Sequence, residues 1–244
     1  MPTSPTIAIV ADWLTVAGGA EAVIKRFLQV FPQAHIYTTV TAPRSFRLRI
    51  GRDRLHTSPL QRLPESLRKR HPLLLPLLPK AIEQLDVSAY DIVLSSSSFV
   101  GKGVLTHPGQ LHICYCHSPT RYLWGDWQQY LRDFPAPRVV KWLLPRYLSR
   151  LRIWDYFAAQ RPDVYLANSD FIAASIAHYY DREAAVLVPP VDTERFRPGL
   201  QEQKQDFYLG FGRLVPQKRF DLLIDTFKKM PHQRLVIAGT GRKE

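Results

Sequence analysis

Cysteine is scarce in this sequence, with only Cys114 and Cys116 among 244 residues. Both lie in Leu111–Cys116, an apolar run with the two-residue period of a β-strand, so the two thiols fall on one face of that strand. Strand geometry separates them by about 6.6 Å, near the upper limit for a disulfide. We therefore expect reduced core thiols in a cytosolic protein. His112 shares their face, but three ligands on one strand match no usual zinc spacing, and no metal site is predicted.

Long apolar runs are also missing. No segment reaches the ~18 consecutive apolar residues of a membrane-spanning helix, and the N-terminus lacks the basic flank and cleavage site of a signal peptide. The sequence therefore predicts a cytoplasmic protein. We also expect peripheral contact with the inner face of the plasma membrane, because a proline-punctuated apolar stretch from Leu73 to Leu78 follows a basic cluster. The alternative is that this stretch is a buried connection.

Acidic residues are outnumbered, since 33 lysines and arginines stand against 21 aspartates and glutamates, a formal net charge of +12. This charge favours nucleic acid, an acidic membrane surface or a diphosphate ligand, and it also fits a solvated face that aids solubility. No aromatic and basic motif of an RNA-binding sheet is present, so we expect no nucleic-acid partner. The excess is concentrated in two clusters, Arg44, Arg47, Arg49, Arg52 and Arg54, and then Arg62, Arg68, Lys69 and Arg70.

The dinucleotide fingerprint G-x-G-x-x-G is absent from the first predicted strand–helix junction. Residues 6–11 predict a buried strand, and Gly18 and Gly19 precede a predicted amphipathic helix that ends before Pro32. Glycines at such a junction allow backbone amides to approach a ligand, and the helix N-terminus favours an anion. The alternative is a glycine pair that only makes a tight turn.

Predicted strands and helices alternate along the chain, which is typical of a doubly wound parallel sheet of the Rossmann-like α/β class. A polar stretch at 197–205 predicts a linker between an N-terminal domain over 1–196 and a second Rossmann-like domain over 206–244. That last segment is little longer than one βαβ unit, so we expect an incomplete second domain. Further strands are predicted at 35–40, 91–95, 164–167, 186–188, 206–210 and 234–238, and helices at 139–160, after Ser169 to about 180, and from Phe220.

Two turns at predicted strand ends carry side chains suited to chemistry. His117 directly follows Leu111–Cys116 and precedes Pro119, which has no amide for a sheet hydrogen bond. Ligands of open parallel sheets collect outside the carboxyl ends of strands, so His117 is a candidate site residue, unless it only caps the turn. Lys102 lies in the serine- and glycine-rich run after the strand at 91–95, where it either reaches an anionic ligand or is a surface lysine.

Taken in order, these features resemble the GT-B glycosyltransferases of family 4, most closely their bacterial mannosyltransferase-like branch. The resemblance covers nearly the whole chain. It rests on five stretches: Gly18-Gly19-Ala20-Glu21, AIEQLDVSAYDIVLSSSSFVGKGV (81–104), HICYCHSPTRYLW, RPDVYLANS with VPPVDTERF, and GFGRLVPQKRFDLLI (210–224).

The resemblance implies a retaining transfer of a hexose from a nucleotide sugar, with GDP-mannose as the first candidate, to a lipid-linked or polysaccharide acceptor of the cell envelope. It implies that His117 lies beside the transferred sugar. It also places Gly18 and Gly19 beside the acceptor and the donor diphosphate, and we add Lys102 to this loop set. No cofactor is implied beyond the donor itself.

Two basic residues of the last segment match the family's basic pair. The resemblance implies that Arg213 and Lys218, with Gly212 in the same turn, hold the donor diphosphate. Fixed cations stabilise the charge that a nucleoside diphosphate gains as the sugar–oxygen bond breaks. Such transferases need no metal at the diphosphate, and the sequence contains no Asp-x-Asp pair.

The sequence departs from the family pattern at its end. The family's Glu-x7-Glu motif, which holds the donor sugar and ribose, lies beyond residue 244. Glu194 and Glu202 have that spacing, but they lie around the predicted linker and are rejected. We therefore expect weak donor binding and negligible turnover from these residues alone. The alternative function is a non-catalytic acceptor-side module that needs a partner chain supplying the nucleotide site.

Overall fold

The computed structural model describes residues 4–15, 18–42, 50–68, 74–125, 127–128, 138–194, 196–197, 206–215 and 218–241, with backbone alone at Arg52 and 138–143. The chain divides into two compact units, Met1–Val191 and Asp192–Glu244. Three sets of predictions lie outside the described residues. They are the first basic cluster at Arg44, Arg47 and Arg49, the second cluster at Lys69 and Arg70, and the linker at 198–205.

The first unit is built on a parallel sheet of seven described strands in the spatial order β3-β2-β1-β4-β5-β6-β7. The strands are β1 (Ile7–Ala11), β2 (His35–Thr38), β3 (Leu55–Thr57), β4 (Ile92–Ser97), β5 (Leu111–Cys116), β6 (Val164–Ala167) and β7 (Ala185–Val186). The helices are α1 (Gly19–Val30), α2 (Glu65–Arg68), α3 (Leu78–Glu83), α4 (Arg121–Trp124), α5 (Arg138–Ala158) and α6 (Asp170–Tyr180), with 3-10 turns at Arg52–Arg54, Pro59–Arg62 and Gly101–Gly103.

This arrangement confirms the predicted doubly wound α/β class. The strand order reverses between β1 and β4, which are hydrogen-bonded neighbours in the sheet although β2 and β3 lie between them in the sequence. Ligands of such folds bind outside the carboxyl ends of the strands at this switch point. A ligand site is therefore expected among the residues that directly follow β1, β4 and β5.

The core explains why the first strand is continuously apolar. Ala8, Ile9 and Val10 of β1 are fully buried, because the sheet is covered on both faces. Ala8 and Val10 pack in one cluster with residues of α3 and α5, while Ile9 packs in another with Ile24 of α1.

Three of the leucines between Leu73 and Leu78 belong to this core, which corrects the expectation of membrane contact through this stretch. Leu74, Leu75 and Leu78 are at most 5% exposed and pack against the sheet in the first of these clusters. Among the described leucines of this stretch, Leu77 is the exposed one, and Leu73 lies outside the described residues. The stretch is thus the buried connection that the sequence left as the alternative, because its leucines are needed to cover one face of the sheet.

The two cysteines are buried and free, as predicted. Burial raises the pKa of the Cys114 thiol to about 12, so this thiol stays protonated at neutral pH. In the described part of the chain, no helix combines the length and apolar character needed to cross a bilayer.

The second unit contains a parallel pair of strands, β8 (Tyr208–Phe211) and β9 (Leu235–Ala238), connected by helix α7 (Phe220–Lys228). The turns that follow the two strands are in close contact. A Cβ atom at Gly239 would overlap the carbonyl oxygen of Gly212, and one at Gly241 would overlap that of Leu214. Glycine is required at both positions because the two backbones touch.

Candidate functional site

The carboxyl ends of four neighbouring strands bring polar residues to one edge of the first unit's sheet. Asp12 directly follows β1, Ser96 lies at the end of β4, His117 follows β5 and Asn168 follows β6. Because all four strands are parallel, these residues lie at the same edge. This edge is the candidate functional site of the unit.

His117 is held there by three neighbouring strands. Its Nε2 lies 2.8 Å from the Oγ of Ser96, and its backbone amide donates to the carbonyl oxygen of Ser97 at 2.9 Å. The side-chain amide of Asn168 donates to the carbonyl oxygen of His117 at 2.9 Å. The imidazole also meets the ring of Tyr115 edge-on. The orientation of the imidazole is therefore set by side chain and backbone together.

The environment favours the neutral imidazole. Burial lowers the pKa of His117, and the nearby carboxylate of Asp12 opposes this only in part. A neutral histidine has one donor and one acceptor nitrogen, and the contact with Ser96 uses Nε2 in either role. At neutral pH the other nitrogen can therefore form one hydrogen bond to a ligand, as a donor or an acceptor according to the tautomer.

Asp12 organises the loop that follows β4. Its carboxylate accepts hydrogen bonds from the Ser97 and Ser98 hydroxyls and from the backbone amides of Ser98, Phe99 and Gly101, at 2.6–3.1 Å. A carboxylate with several backbone donors is well stabilised although Asp12 is only 6% exposed. This side chain thus joins the ends of β1 and β4, and its charge also acts on His117.

The structure places the glycine pair at the start of α1. The backbone amide of Gly18 donates to Oε2 of Glu21 at 3.0 Å, so a carboxylate of the chain already bonds the amide that was predicted to face an anion. At Gly19, the first residue of α1, an added Cβ atom would have no neighbour within 4 Å. Gly19 therefore keeps the open space that close approach of a ligand requires.

Lys102 does not reach a ligand, which corrects its assignment to the site. It is 2% exposed, and its amino group pairs with Asp155 at 2.6 Å and also donates to the carbonyl oxygen of Phe99. The lysine turns inward because the 3-10 turn Gly101–Gly103 packs against α5, which carries Asp155. Its ammonium group is paired with a carboxylate inside the protein and does not face a ligand site.

Arg213 and Lys218 lie in the second unit, in the turn between β8 and α7 that begins with Gly212. Both side chains are exposed, and in the described part of the chain neither has an ion-pair partner. Two other basic residues of this unit do form ion pairs, Arg219 with Asp221 and Lys228 with Asp225. The turn therefore presents two cations that are available to an anionic ligand.

Sequence reasoning missed four polar residues. Three of them, Asp12, Ser96 and Asn168, build the first unit's site, and the fourth, Asp155, is the buried partner of Lys102. Asp12 and Asn168 could have been found from their position directly after a strand, which is the signal that identified His117. Ser96 belongs to a serine run that was recognised as a whole, but its pairing with His117 depends on the register of β4 against β5. No local signal marks Asp155, which lies inside a helix.

Comparison with known proteins places the chain in a family. The family model described as Glycosyltransferase Family 4 matches residues 17–195. No curated protein sequence matches the chain. A sucrose-phosphate synthase from Thermosynechococcus elongatus is similar in structure, with a TM-score of 0.58 and 15% identity over 97% of this chain and 62% of that one. An alpha-glucosyltransferase in complex with UDP and a 13-mer DNA aligns with a TM-score of 0.48 and 14% identity, over 98% of this chain and 57% of that one. The chain thus spans less than two thirds of the length of either protein.

Proposed function

The chain belongs to glycosyltransferase family 4, and on that premise we propose that it serves the transfer of a hexose, with retention of configuration, from a nucleotide sugar to a lipid-linked or polysaccharide acceptor. GDP-mannose is the first donor to test. The proposed location is the cytoplasm, at the inner face of the plasma membrane where a lipid-linked acceptor would lie.

One observation carries this proposal, the placement of His117. It lies within the matched family region, at the carboxyl end of β5, and is fixed by Ser96 and Asn168. A neutral, oriented imidazole suits a sugar hydroxyl, because the ring nitrogen that Ser96 does not engage offers one hydrogen bond in a fixed direction. We propose that His117 contacts the transferred sugar and holds it in the geometry that the reaction requires.

The donor's diphosphate is assigned to Arg213 and Lys218. As the bond between the sugar and the diphosphate breaks, negative charge collects on the leaving group, and cations fixed nearby stabilise it. Arginine offers a planar fork to phosphate oxygens and lysine a compact charge. We propose that these side chains, rather than a resident metal ion, carry out this stabilisation, so that chelation with EDTA leaves donor binding unchanged.

Donor binding is the first experiment. The purified chain is mixed with GDP-mannose, GDP-glucose, UDP-glucose and UDP-galactose, and binding is measured by saturation-transfer NMR with EDTA present. We expect saturation transfer to the sugar protons of at least one donor, and its loss in His117→Ala. If no donor binds, or if the variant binds as the wild type does, the proposal is wrong.

Product configuration is the second experiment. The chain is incubated with the donor that binds in the first experiment and with a polyprenyl-diphosphate-linked sugar as acceptor. The configuration of the new glycosidic bond is then read by NMR from the anomeric proton of the product. Retention of the donor's configuration supports the proposal, and inversion contradicts it. If donor binds but transfer requires an added partner chain, the acceptor-side module is the correct description and this chain is not the complete enzyme.

A further inference from the structure

The buried pair of Lys102 and Asp155 has no role in the function proposed above. Their side chains are 2% and 0% exposed, and the amino group lies 2.6 Å from Oδ1 of Asp155. Taking both charges out of water is costly, and apolar residues of similar volume often serve stability as well or better. Stability alone therefore does not explain why ionised groups occupy these positions.

The neighbours of Asp155 indicate what the pair does. Its Oδ1 accepts a hydrogen bond from the hydroxyl of Thr120 at 2.8 Å, in addition to the bond from Lys102. Its Oδ2 accepts from the indole of Trp124 at 2.7 Å and from the hydroxyl of Tyr180 at 2.8 Å. One carboxylate thus collects four donors from three separate parts of the first unit.

Two of these four donors lie in the segment that follows the candidate catalytic histidine. Thr120 is fixed twice, since its hydroxyl donates to Asp155 and its backbone amide donates to the hydroxyl of Tyr180 at 3.2 Å. Trp124 ends helix α4 and is fixed by its indole. The segment 117–124 is therefore held at its beginning by the contacts of His117 and at its end by Asp155.

We propose that Asp155, paired with Lys102, is a positioning residue that sets the conformation of segment 117–124 and, through it, the orientation of His117. The functional part of this inference rests on the role proposed for His117. The conformational part rests on the contacts alone and is tested without any nucleotide sugar.

The chemistry of the cluster requires a carboxylate rather than a neutral amide. All four groups that face Asp155 donate hydrogen bonds, and a carboxylate is an acceptor at both oxygens. Asparagine at this position would turn an amide donor toward either the Lys102 side or the Trp124 side. Burial and the proximity of Asp155 raise the pKa of Tyr180, so its hydroxyl keeps the proton that it donates.

The test uses a double variant, Lys102→Met with Asp155→Leu, because removing both charges leaves no unpaired buried ion. The single variant Asp155→Asn accompanies it. The matched control is the double variant Glu83→Leu with Arg161→Met, which removes another ion pair of the same unit, one whose side chains are 26% and 29% exposed. The other hydrogen bonds of this pair join Glu83 to Trp154 and Arg161 to Gly103, so the control perturbs the surroundings of Asp155 and Lys102 without removing a hydrogen bond to Thr120 or Trp124. Melting temperature, hydrogen exchange resolved to peptides and the NMR titration of His117 are measured for each.

We expect the Lys102/Asp155 double variant to melt as a cooperative, folded protein while the amides of 117–124 exchange at least tenfold faster than in the wild type. We also expect the His117 imidazole resonances to broaden or shift, and donor affinity, where the wild type binds donor, to fall about tenfold. The control variant should leave the exchange of 117–124, the His117 resonances and the donor affinity unchanged. Exchange of 117–124 at the wild-type rate in a folded double variant, or in folded Asp155→Asn should the double variant not fold, overturns the inference.

Failure of the inference and failure of the proposed function give different results. Unchanged exchange in 117–124 contradicts the positioning role whether or not a donor binds. Faster exchange with a changed His117 signal supports the positioning role even if no nucleotide sugar binds the wild type, and in that case the proposed function is the part that is wrong.

Discussion

The hydroxyl oxygen of Ser96 lies 2.8 Å from Nε2 of His117, joining the ends of two adjacent parallel strands at the candidate site. This contact fixes the ring, and burial keeps it neutral by lowering its pKa. The imidazole can therefore form one hydrogen bond to a hydroxyl group of a ligand, because Ser96 already bonds Nε2 and the other ring nitrogen remains.

Removing the imidazole should therefore impair transfer far more than it impairs folding. For His117→Ala we expect a loss of about 100-fold in the rate of sugar transfer, measured with the partner chain added if transfer requires one. This loss is in the range seen for positioned catalytic side chains. For Ser96→Ala, which frees the ring without removing it, we expect a loss of about 10-fold. Initial rates with the donor that binds, together with melting curves, check both. Equal rates for His117→Ala and wild type would contradict the assignment.

The two cations of the second unit should matter for the donor, unlike their paired neighbours. Charge-assisted hydrogen bonds contribute about 1.5–3 kcal/mol, so Arg213→Ala and Lys218→Ala should each weaken donor affinity about 10- to 100-fold. Arg219→Ala and Lys228→Ala, whose cations pair with Asp221 and Asp225, are the controls and should change affinity less than twofold. Titration calorimetry measures all four. Equal effects at the four positions would indicate a general charge effect.

Acid should destabilise the first unit through His112. Burial lowers the pKa of this histidine to about 4, against about 6.5 in the unfolded chain. Because the unfolded chain binds the proton first, the contribution of His112 is complete above about pH 6.5 and is lost as the pH falls toward 4, by about 3 kcal/mol. Urea denaturation at pH 7, 5.5 and 4 measures this loss.

The variant His112→Gln isolates the effect, because it has no group to protonate. The difference in unfolding free energy between pH 7 and pH 4 should be smaller in His112→Gln than in the wild type. His107→Gln, at an exposed histidine, should keep the wild-type dependence. If the His112 and His107 variants respond alike, burial of His112 is not the cause.

Two glycines should respond in opposite ways to the same added methyl group. In Gly103→Ala the new Cβ would lie 2.7 Å from the ring of Trp154, whose indole is held by Glu83, so we expect a loss of about 1–3 kcal/mol. In Gly19→Ala the position is open and helical, and stability should be unchanged or rise by up to about 1 kcal/mol.

Gly19→Ala also examines the predicted role of the glycine pair. If a ligand approaches the backbone at Gly19, the methyl group should reduce donor or acceptor binding without reducing stability. Thermal melting and the donor-binding assay distinguish the two effects. Wild-type binding in stable Gly19→Ala would assign this glycine to the turn alone.

The strands were predictable where burial is continuous, because an apolar run needs no partner to be recognised. Residues 6–11 were predicted as a buried strand and contain β1, which is buried from Ala8 to Ala11. Ser169 caps the helix that follows β6 as expected, by accepting from the amide of Ile172. Strand β3 was missed, because Leu55–Thr57 is a three-residue edge strand that is only half-buried. Such a segment has no periodicity to detect.

The errors share one physical cause, which is that tertiary partners decide what a local pattern means. Lys102 follows a strand end, as a ligand-binding lysine would, but its partner Asp155 lies 53 residues further along the chain. Leu74, Leu75 and Leu78 are as apolar as a membrane-binding stretch, and only the sheet that they cover shows that they are core. The position of His117 was predictable because the end of a strand is a local feature, and its role stays a prediction.

The most direct test of the account is the response of His117 to a nucleotide sugar. The imidazole resonances of the chain, labelled with ¹⁵N-histidine, are recorded while the donor that binds is added, and the His117 signals are assigned with His117→Gln. The account predicts saturable shifts of the His117 nitrogens with no shift at exposed His107. Unchanged His117 signals at saturating donor would contradict it.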